Sequence, residues 1–204
     1  MRIRFILASA SPARRRTLIG AGVVPEVLVS GFDESTVEAQ SVAQLVQELA
    51  QAKARTVAEG LGDDAALVLG CDSLLEFGGL AMGKPNSVDA AMDRWRQLRG
   101  GAGLLHTGHA LIDTRTGRVA SATVTTAVRF AEVTDDEIAA YCASGEPTAV
   151  AGGFTIDGLG GWFVESLDGD PHNVVGVSLP TLRLMLRELG FGLADIGYPA
   201  SGEM

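Results

Sequence analysis

Lysine occurs only twice in the 204 residues, at Lys53 and Lys84, against fourteen arginines. Both lysines stand where a compact positive charge has chemistry to do. An ammonium is a point charge that meets one phosphate oxygen in a narrow place where a planar guanidinium does not fit. Lys84 closes the stretch LVLGCDSLLEFGGLAMGKP, residues 67–85. There an apolar run, Leu67 to Leu69, is expected to deliver Asp72 and Ser73 to the end of a buried strand. A Gly78–Gly79 turn then returns the chain to Gly83-Lys84-Pro85, which predicts acid and ammonium beside each other across a hairpin. A carboxylate where a strand leaves the core, with a cation nearby, suits a phosphate-plus-metal site. The plainer alternative is a surface ion pair beside a turn.

Lys53 is the second anomaly. Ser41 caps a helix running to about Glu59, whose stripe Val42, Leu45, Val46 and Leu49 has the spacing of a core-facing surface. One more turn of that stripe lands on Lys53, among alanines at 50, 52 and 54. An unpaired buried ammonium is costly, so this lysine either snorkels to water or meets an anion.

A third cluster opens the chain. Residues Arg2 to Ala8 read as a strand with Ile3, Phe5 and Leu7 alternating on one face, followed by a helix from Ala13 to Ala21 that Gly22 stops. Ser11 is its N-cap and Pro12 its first helical position. Free N–H groups at such a helix start form a ready anion site, to which Ser9 and Ser11 add hydroxyls. Arg14, Arg15 and Arg16 in the first turn oppose the helix dipole, a conflict that a bound anion relieves; the alternative is a solvated basic patch. After a second strand, Val23 to Val29, the loop Gly31-Phe32-Asp33-Glu34-Ser35 carries two acids. At the same sheet end as Asp72 they complete a magnesium site built from oxygens; elsewhere they are solvated.

The remaining elements position these groups. Asn86 or Ser87 caps a helix to Arg99 that buries Ala91, Trp95 and Leu98, and Leu104 to Asp113 pairs with Arg118 to Phe130 over a Thr116–Gly117 turn. His106 and His109 lie on this hairpin without acidic or thiol company, and read as structural or exposed rather than metal-binding. Thr134-Asp135-Asp136-Glu137 is a capping box opening a short helix through Cys142, and Ser144 to Pro147 a turn. The glycine-rich AGGFTIDGLGG, residues 151–161, lets backbone approach a ligand closely but lacks a dinucleotide fingerprint, and no Walker sequence occurs. Trp162 to Leu167 reads as a strand, Pro180 to Leu189 as a last helix ended by Gly190, and residues 191–204 as a frayed tail.

Composition bounds the function. At 47% hydrophobic and 20% charged residues the chain has ordinary globular composition, and its length suits one domain with a sizeable core. A net charge of −9 argues against nucleic-acid or anionic-membrane binding, while an anionic small molecule needs only a few gathered cations. Cys71 and Cys142 form neither a disulfide framework nor part of a zinc quartet. The N-terminal apolar run is too short for a signal peptide or membrane span, so a soluble cytoplasmic protein is expected.

Taken in order, LASASPARR, FDES, LAQAKA, GCDSLL, MGKP, YCASGEP, AGGFTIDGLGG and GDPHNVVGVSLP resemble the Maf proteins, nucleoside triphosphate pyrophosphatases also called septum formation inhibitors. The resemblance runs from about residue 5 to 190. It implies one domain over residues 1–190 followed by a tail. The implied fold is mixed α/β, like that of the inosine triphosphate pyrophosphatases: an elongated central sheet, flanking helices and two lobes around a cleft. It further implies a cytoplasmic enzyme, often a homodimer, that uses a divalent cation (Mg2+ or Mn2+) to hydrolyse a nucleoside triphosphate to monophosphate and pyrophosphate. Nucleotide-pool housecleaning and arrest of cell division are the roles this suggests; the rival is a non-hydrolysing nucleotide-binding regulator of septum formation. Carried over by position, Ser9, Ser11 and Arg14 match the phosphate-handling motif. Asp72, Glu34, Lys53 and Lys84 match the catalytic positions, with Asp72 the proton acceptor and Asp72 and Glu34 the metal ligands. Ser73 and Asp157 match substrate-binding positions. Three places depart from the family pattern. Ala13 stands where many members have arginine, and the thymidine- and uridine-triphosphate subgroup has threonine at Ser73 and glutamine at Asp157. These positions are associated with base choice, so a pyrimidine preference does not carry over. An ionised Asp157 accepts but cannot donate hydrogen bonds, which tilts toward bases presenting amino or imino donors.

Overall fold

The computed structural model describes residues 2–199. They form a mixed α/β structure. In chain order the elements are β1 (Arg4–Leu7), α1 (Pro12–Gly20), β2 (Glu26–Val27), α2 (Val42–Gly60), β3 (Ala66–Phe77), β4 (Leu80–Met82), α3 (Val88–Leu98), β5 (Ala102–Asp113), β6 (Arg118–Phe130), α4 (Asp135–Ala143), α5 (Glu146–Ala149), β7 (Val164–Asp168), α6 (Pro171–Val175) and α7 (Leu179–Leu189). Single 3₁₀ turns lie at Glu34–Thr36, Ala151–Gly153, Leu159–Phe163 and Leu193–Ile196. The seven strands make one sheet in the order β2-β1-β3-β5-β6-β7, with β4 paired to β3. β1 lies parallel to both β2 and β3, whereas β3–β4 and β6–β7 are antiparallel.

The chain divides into two compact units. One comprises Met1–Asp72, Thr107–Val124 and Gly176–Met204; the other comprises Ser73–His106 and Thr125–Val175. In the first unit the inner parallel strands, β1 from Phe5 to Leu7 and β3 from Ala66 to Asp72, are buried on both faces, the pattern expected of sheets covered by helices, whereas the edge strand β2 is exposed. Phe5, Leu7, Leu67, Leu69 and Cys71 point to the side packed by Leu18 of α1 and by Leu182, Met185, Leu186 and Leu189 of α7. Ile6, Ala8, Ala66, Val68, Ala110 and Ile112 point to the other side, against Ala50, Ala54 and Val57 of α2. Two strand glycines let α2 come unusually close. A Cβ on Gly70 would lie 2.2 Å from the Ala50 carbonyl oxygen, and one on Gly108 would lie 2.1 Å from that of Val46. The second unit has its own core, in which Trp95 meets Phe130, Tyr141 and Phe163 edge-on at 5.4–5.7 Å and its indole N–H donates to the Gly153 carbonyl.

Local signals behaved as their chemistry requires. Ser11, Ser41, Ser87 and Ser178 each accept a backbone N–H at the start of α1, α2, α3 and α7, and the Thr134–Glu137 capping box forms at α4. Other expectations are corrected. The second strand is confined to Glu26–Val27. β3 does not end at Asp72 and Ser73 but continues to Phe77, because Leu75, Glu76 and Phe77 find backbone partners in β4 and the ladder carries the polar pair through. Trp162 and Phe163, expected to open a strand, instead close the 3₁₀ turn Leu159–Phe163 ahead of β7, and the expected Ser144–Pro147 turn runs into α5 at Glu146. Residues 191–198 are not frayed: Phe191 and Leu193 pack on the core, Ile196 is buried, and Ile3 N–H donates to the Asp195 carbonyl at 2.8 Å. Residues 200–204 of the expected tail lie outside the described residues.

Candidate active site

The parallel register sets the first unit's polar groups at the carboxyl ends of its strands. Leu7 pairs with Leu69, so β1 runs out into Ser9 beside the part of β3 that carries Cys71 and Asp72. In open α/β sheets this is the end at which ligands bind. Residues 66, 68, 70 and 72 share the face turned to α2, by the two-residue alternation of a strand. The close approach that Gly70 allows brings Lys53 of α2 onto Asp72. The lysine neither snorkels nor stands alone: its Nζ donates to Asp72 Oδ1 at 2.6 Å and is 2.7 Å from Glu34 Oε1. The side chains of Lys53 and Asp72 are 12% and 10% exposed, and that of Glu34 is 55% exposed, so Glu34 is the solvent-side arm of the trio.

Asp33, the other acid of that loop, is occupied otherwise. Its Oδ1 accepts from both the N–H and the hydroxyl of Ser35, capping the 3₁₀ turn that begins at Glu34, and these bonds hold its carboxyl below the usual range. Asp72 is pushed the opposite way. Burial raises its pKa above the usual carboxylate range and Glu34 adds to this, against the pull of Lys53 and Arg14. A buried carboxylate that holds its proton more tightly is a stronger base once ionised.

Arg14 turns away from solvent into this end of the sheet. Its Nε donates to the Gly176 carbonyl at 2.8 Å and its Nη1 to the Ser9 hydroxyl at 2.9 Å, while Ser9 Oγ also accepts the Ser11 N–H. Ser11 Oγ accepts the Arg14 N–H at the start of α1, which has no acidic residue in its first turn. Ser9, Ser11, Arg14, Glu34, Lys53 and Asp72 thus all belong to the first unit. Arg15 and Arg16 are exposed. Lys84, Ser73 and Asp157 belong to the second unit. There Lys84 is exposed after β4, Ser73 is half-buried on β3, and Asp157 is exposed in the glycine-rich segment.

His106 and His109, the two histidines of β5, are buried and structural. His109 Nε2 accepts the Ser178 N–H, which requires a neutral ring, and His106 lies between Thr125 Oγ1 at 2.8 Å and Glu76 at 3.2 Å. Among the described residues no three His, Cys, Asp or Glu side chains gather as a self-sufficient metal cage. The glycine-rich stretch is shaped by the protein itself: Cβ atoms on Gly152, Gly158 and Gly160 would meet Leu75, Glu146 and the Tyr141 hydroxyl at 2.9, 2.5 and 2.4 Å. Sequence reasoning missed Gly70 and Gly108, whose only signal was a glycine within an apolar strand, and the Gly176 carbonyl, which carries none.

A buried acid and a solvent-facing acid share one lysine, with an inward arginine and a capped helix start on the same strand ends, an arrangement suited to holding a polyanion and moving a proton beside it. The chain belongs to the Maf family: a family model described as Maf-like protein matches residues 4–189. It is 53% identical over 198 residues to a nucleoside triphosphate pyrophosphatase of Streptomyces avermitilis, covering 97% of this chain and 96% of that protein. A protein of the same description from Salinispora tropica is 53% identical over 95% of this chain and 87% of its own, and one from Thermosynechococcus vestitus 52% identical over 95% and 98%.

Proposed function

We propose that this chain hydrolyses a nucleoside triphosphate, standard or modified, to the monophosphate and pyrophosphate. The observation that carries the reading is the Lys53 ammonium held between Asp72 and Glu34, with Asp72 buried and its pKa raised. Cutting a triphosphate at its innermost phosphorus needs an oriented water, neutralised phosphate charge and a stabilised pyrophosphate leaving group. Asp72 orients the water and takes its proton. Lys53 pairs with Asp72 in the free protein, pulling its pKa down against the larger effect of burial, and meets a phosphate oxygen when substrate enters. Arg14 and the N-terminus of α1, tightened by Ser9 and Ser11, grip the outer phosphates, with Lys84 assigned to the same task.

A divalent cation, Mg2+ or Mn2+, fits the donor set. Asp72 and Glu34 offer hard oxygens, and such ions are commonly held by one or two carboxylates plus substrate phosphates rather than by an all-protein cage. Asp72 and Glu34 would hold it; when bound it neutralises phosphate charge and polarises the reacting groups. Asp157 and Ser73 are assigned to the base. The same reading takes residues 1–190 as one domain with the two-lobed fold of the inosine triphosphate pyrophosphatases, working in the cytoplasm as a homodimer. No described helix is long and apolar enough to cross a membrane.

The test is Asp72→Asn in a magnesium-dependent assay that identifies products across a panel of standard and modified triphosphates. Pyrophosphate release falls about 10²-fold or more with the fold intact, the scale of a lost general base. Full activity removes Asp72 from the mechanism. Orthophosphate as product makes the protein a general phosphatase, and tight binding without turnover makes it the regulator of septum formation.

A further inference from the structure

Glu146 lies at the start of α5, in the second unit, and its carboxylate collects four donors from two directions. Oε1 accepts the Tyr141 hydroxyl at 2.8 Å, the Thr155 hydroxyl at 2.6 Å and the Gly160 N–H at 2.9 Å; Oε2 accepts the Leu159 N–H at 3.0 Å. Burial opposes ionisation, yet the bonds from Thr155, Leu159, Gly160 and Tyr141 together outweigh it and hold the group below the usual carboxylate range. Three of the four donors belong to one short segment, residues 155–160, which closes around Glu146 as a loop tied at both ends. Gly158 and Gly160 are glycines because a side chain at either would strike Glu146 or Tyr141. Asp157 is exposed near the middle of that tie, next to exposed Gly158 and Leu159.

We propose that Glu146 is a positioning residue for nucleotide selection, fixing the segment Thr155–Gly160 and so the placement of Asp157. This rests on the function proposed above and adds to it the group that sets base discrimination without touching the base. The isosteric change Glu146→Gln exposes the dependence. Whichever way its amide turns, the NH2 group faces a backbone N–H, that of Gly160 at one position or Leu159 at the other, and donors repel. A purely space-filling role would tolerate the swap.

Four triphosphates differing in base are compared by equilibrium binding and by hydrolysis for wild-type protein, Glu146→Gln, Asp157→Ala and the double variant. Inorganic tripolyphosphate, which has no base, serves as competitor. Glu146→Gln flattens the ratio between best and worst nucleotide about tenfold, through affinity and KM rather than kcat. Tripolyphosphate binding is unchanged, and hydrogen exchange at the Leu159 and Gly160 amides accelerates. In the Asp157→Ala background the further change vanishes, since the two act on one interaction. Unchanged discrimination with accelerated exchange overturns the proposal, as does unchanged exchange, or an equal loss for every nucleotide and for tripolyphosphate. Absence of hydrolysis by the wild-type protein sinks the functional reading instead, and the binding ratios still decide the role of Glu146.

Discussion

Gly70→Ala tests whether helix-to-strand distance, rather than the mere presence of Lys53 and Asp72, makes the pair to which catalysis is assigned above. The new Cβ would sit 2.2 Å from the Ala50 carbonyl oxygen and 2.9 Å from both the N and the Cβ of Ala54, all on α2. Two of these contacts are backbone, so no side chain can rotate aside. Reaching the 3.0 Å that real Cβ contacts respect moves the helix outward by about 0.8 Å. Lys53 rides on the same helix one turn beyond Ala50, so its 2.6 Å contact with Asp72 opens to about 3.4 Å, the edge of a hydrogen bond. Overpacking of this kind costs about 1–3 kcal/mol, which lowers Tm by roughly 2–12 °C in a chain of this size. A displacement near 1 Å at a catalytic constellation costs about 10²-fold in rate. Thermal unfolding and kcat/KM for the best nucleotide are measured on Gly70→Ala beside Gly60→Ala, a control at the end of α2 with nothing near its added Cβ. Loss of both quantities in the first variant and neither in the second is expected. A Gly70→Ala protein with wild-type Tm and activity refutes the argument that glycine sets the site's geometry.

The pH profile supplies a second test. As the base proposed above, Asp72 acts only when ionised, which puts the expected acid limb of kcat/KM above the usual carboxylate range; Glu34→Gln removes a charge that raises the pKa of Asp72 and is expected to shift the limb to lower pH, while Lys53→Met is expected to shift it upward. A limb that stays put in both variants assigns it to another group. The same raised pKa works against folding: the native state keeps a proton on Asp72 that the unfolded chain has released. Denaturation measured across pH therefore shows stability falling as pH rises from the ordinary aspartate range through the raised one, an increment missing in Asp72→Asn. Trp95→Phe leaves the buried Gly153 carbonyl without its indole donor and loosens three edge-on ring contacts, costing about 1–3 kcal/mol in urea unfolding at constant m; an unchanged midpoint counts against that packing.

Much of the candidate site is legible along the chain because its signals are local. A serine before a proline and a helical run specifies the start of α1, whatever the rest of the protein does, and it did so at Ser11. A lysine continuing the apolar stripe of α2 had to have a partner or an escape to water, and periodicity alone raised that question at Lys53. Sequence could not name the partners. Lys53 and Asp72 are brought together by the depth to which α2 settles on Gly70 and Gly108, and Glu34 joins them from the loop after β2, which pairs in parallel with β1 as β1 does with β3. Both are long-range agreements between surfaces. The end of β3 lies beyond the position its sequence predicts for a related reason: a strand stops where its ladder loses partners, and β4 supplies partners that the polarity of Asp72 and Ser73 does not announce.

Glu146 marks the boundary most sharply. Its neighbours Ser144, Gly145 and Pro147 spell a turn, which is all that short-range chemistry can say. Its four donors come from positions 5 residues before it to 14 after it, and converge only once α4 and the glycine-rich segment have packed. The sequence by itself determined which side chains were out of place for a solvated surface. Tertiary structure decided which of them share a hydrogen bond, since burial turns a costly isolated charge into a paired one only where separate elements place both partners within about 3 Å.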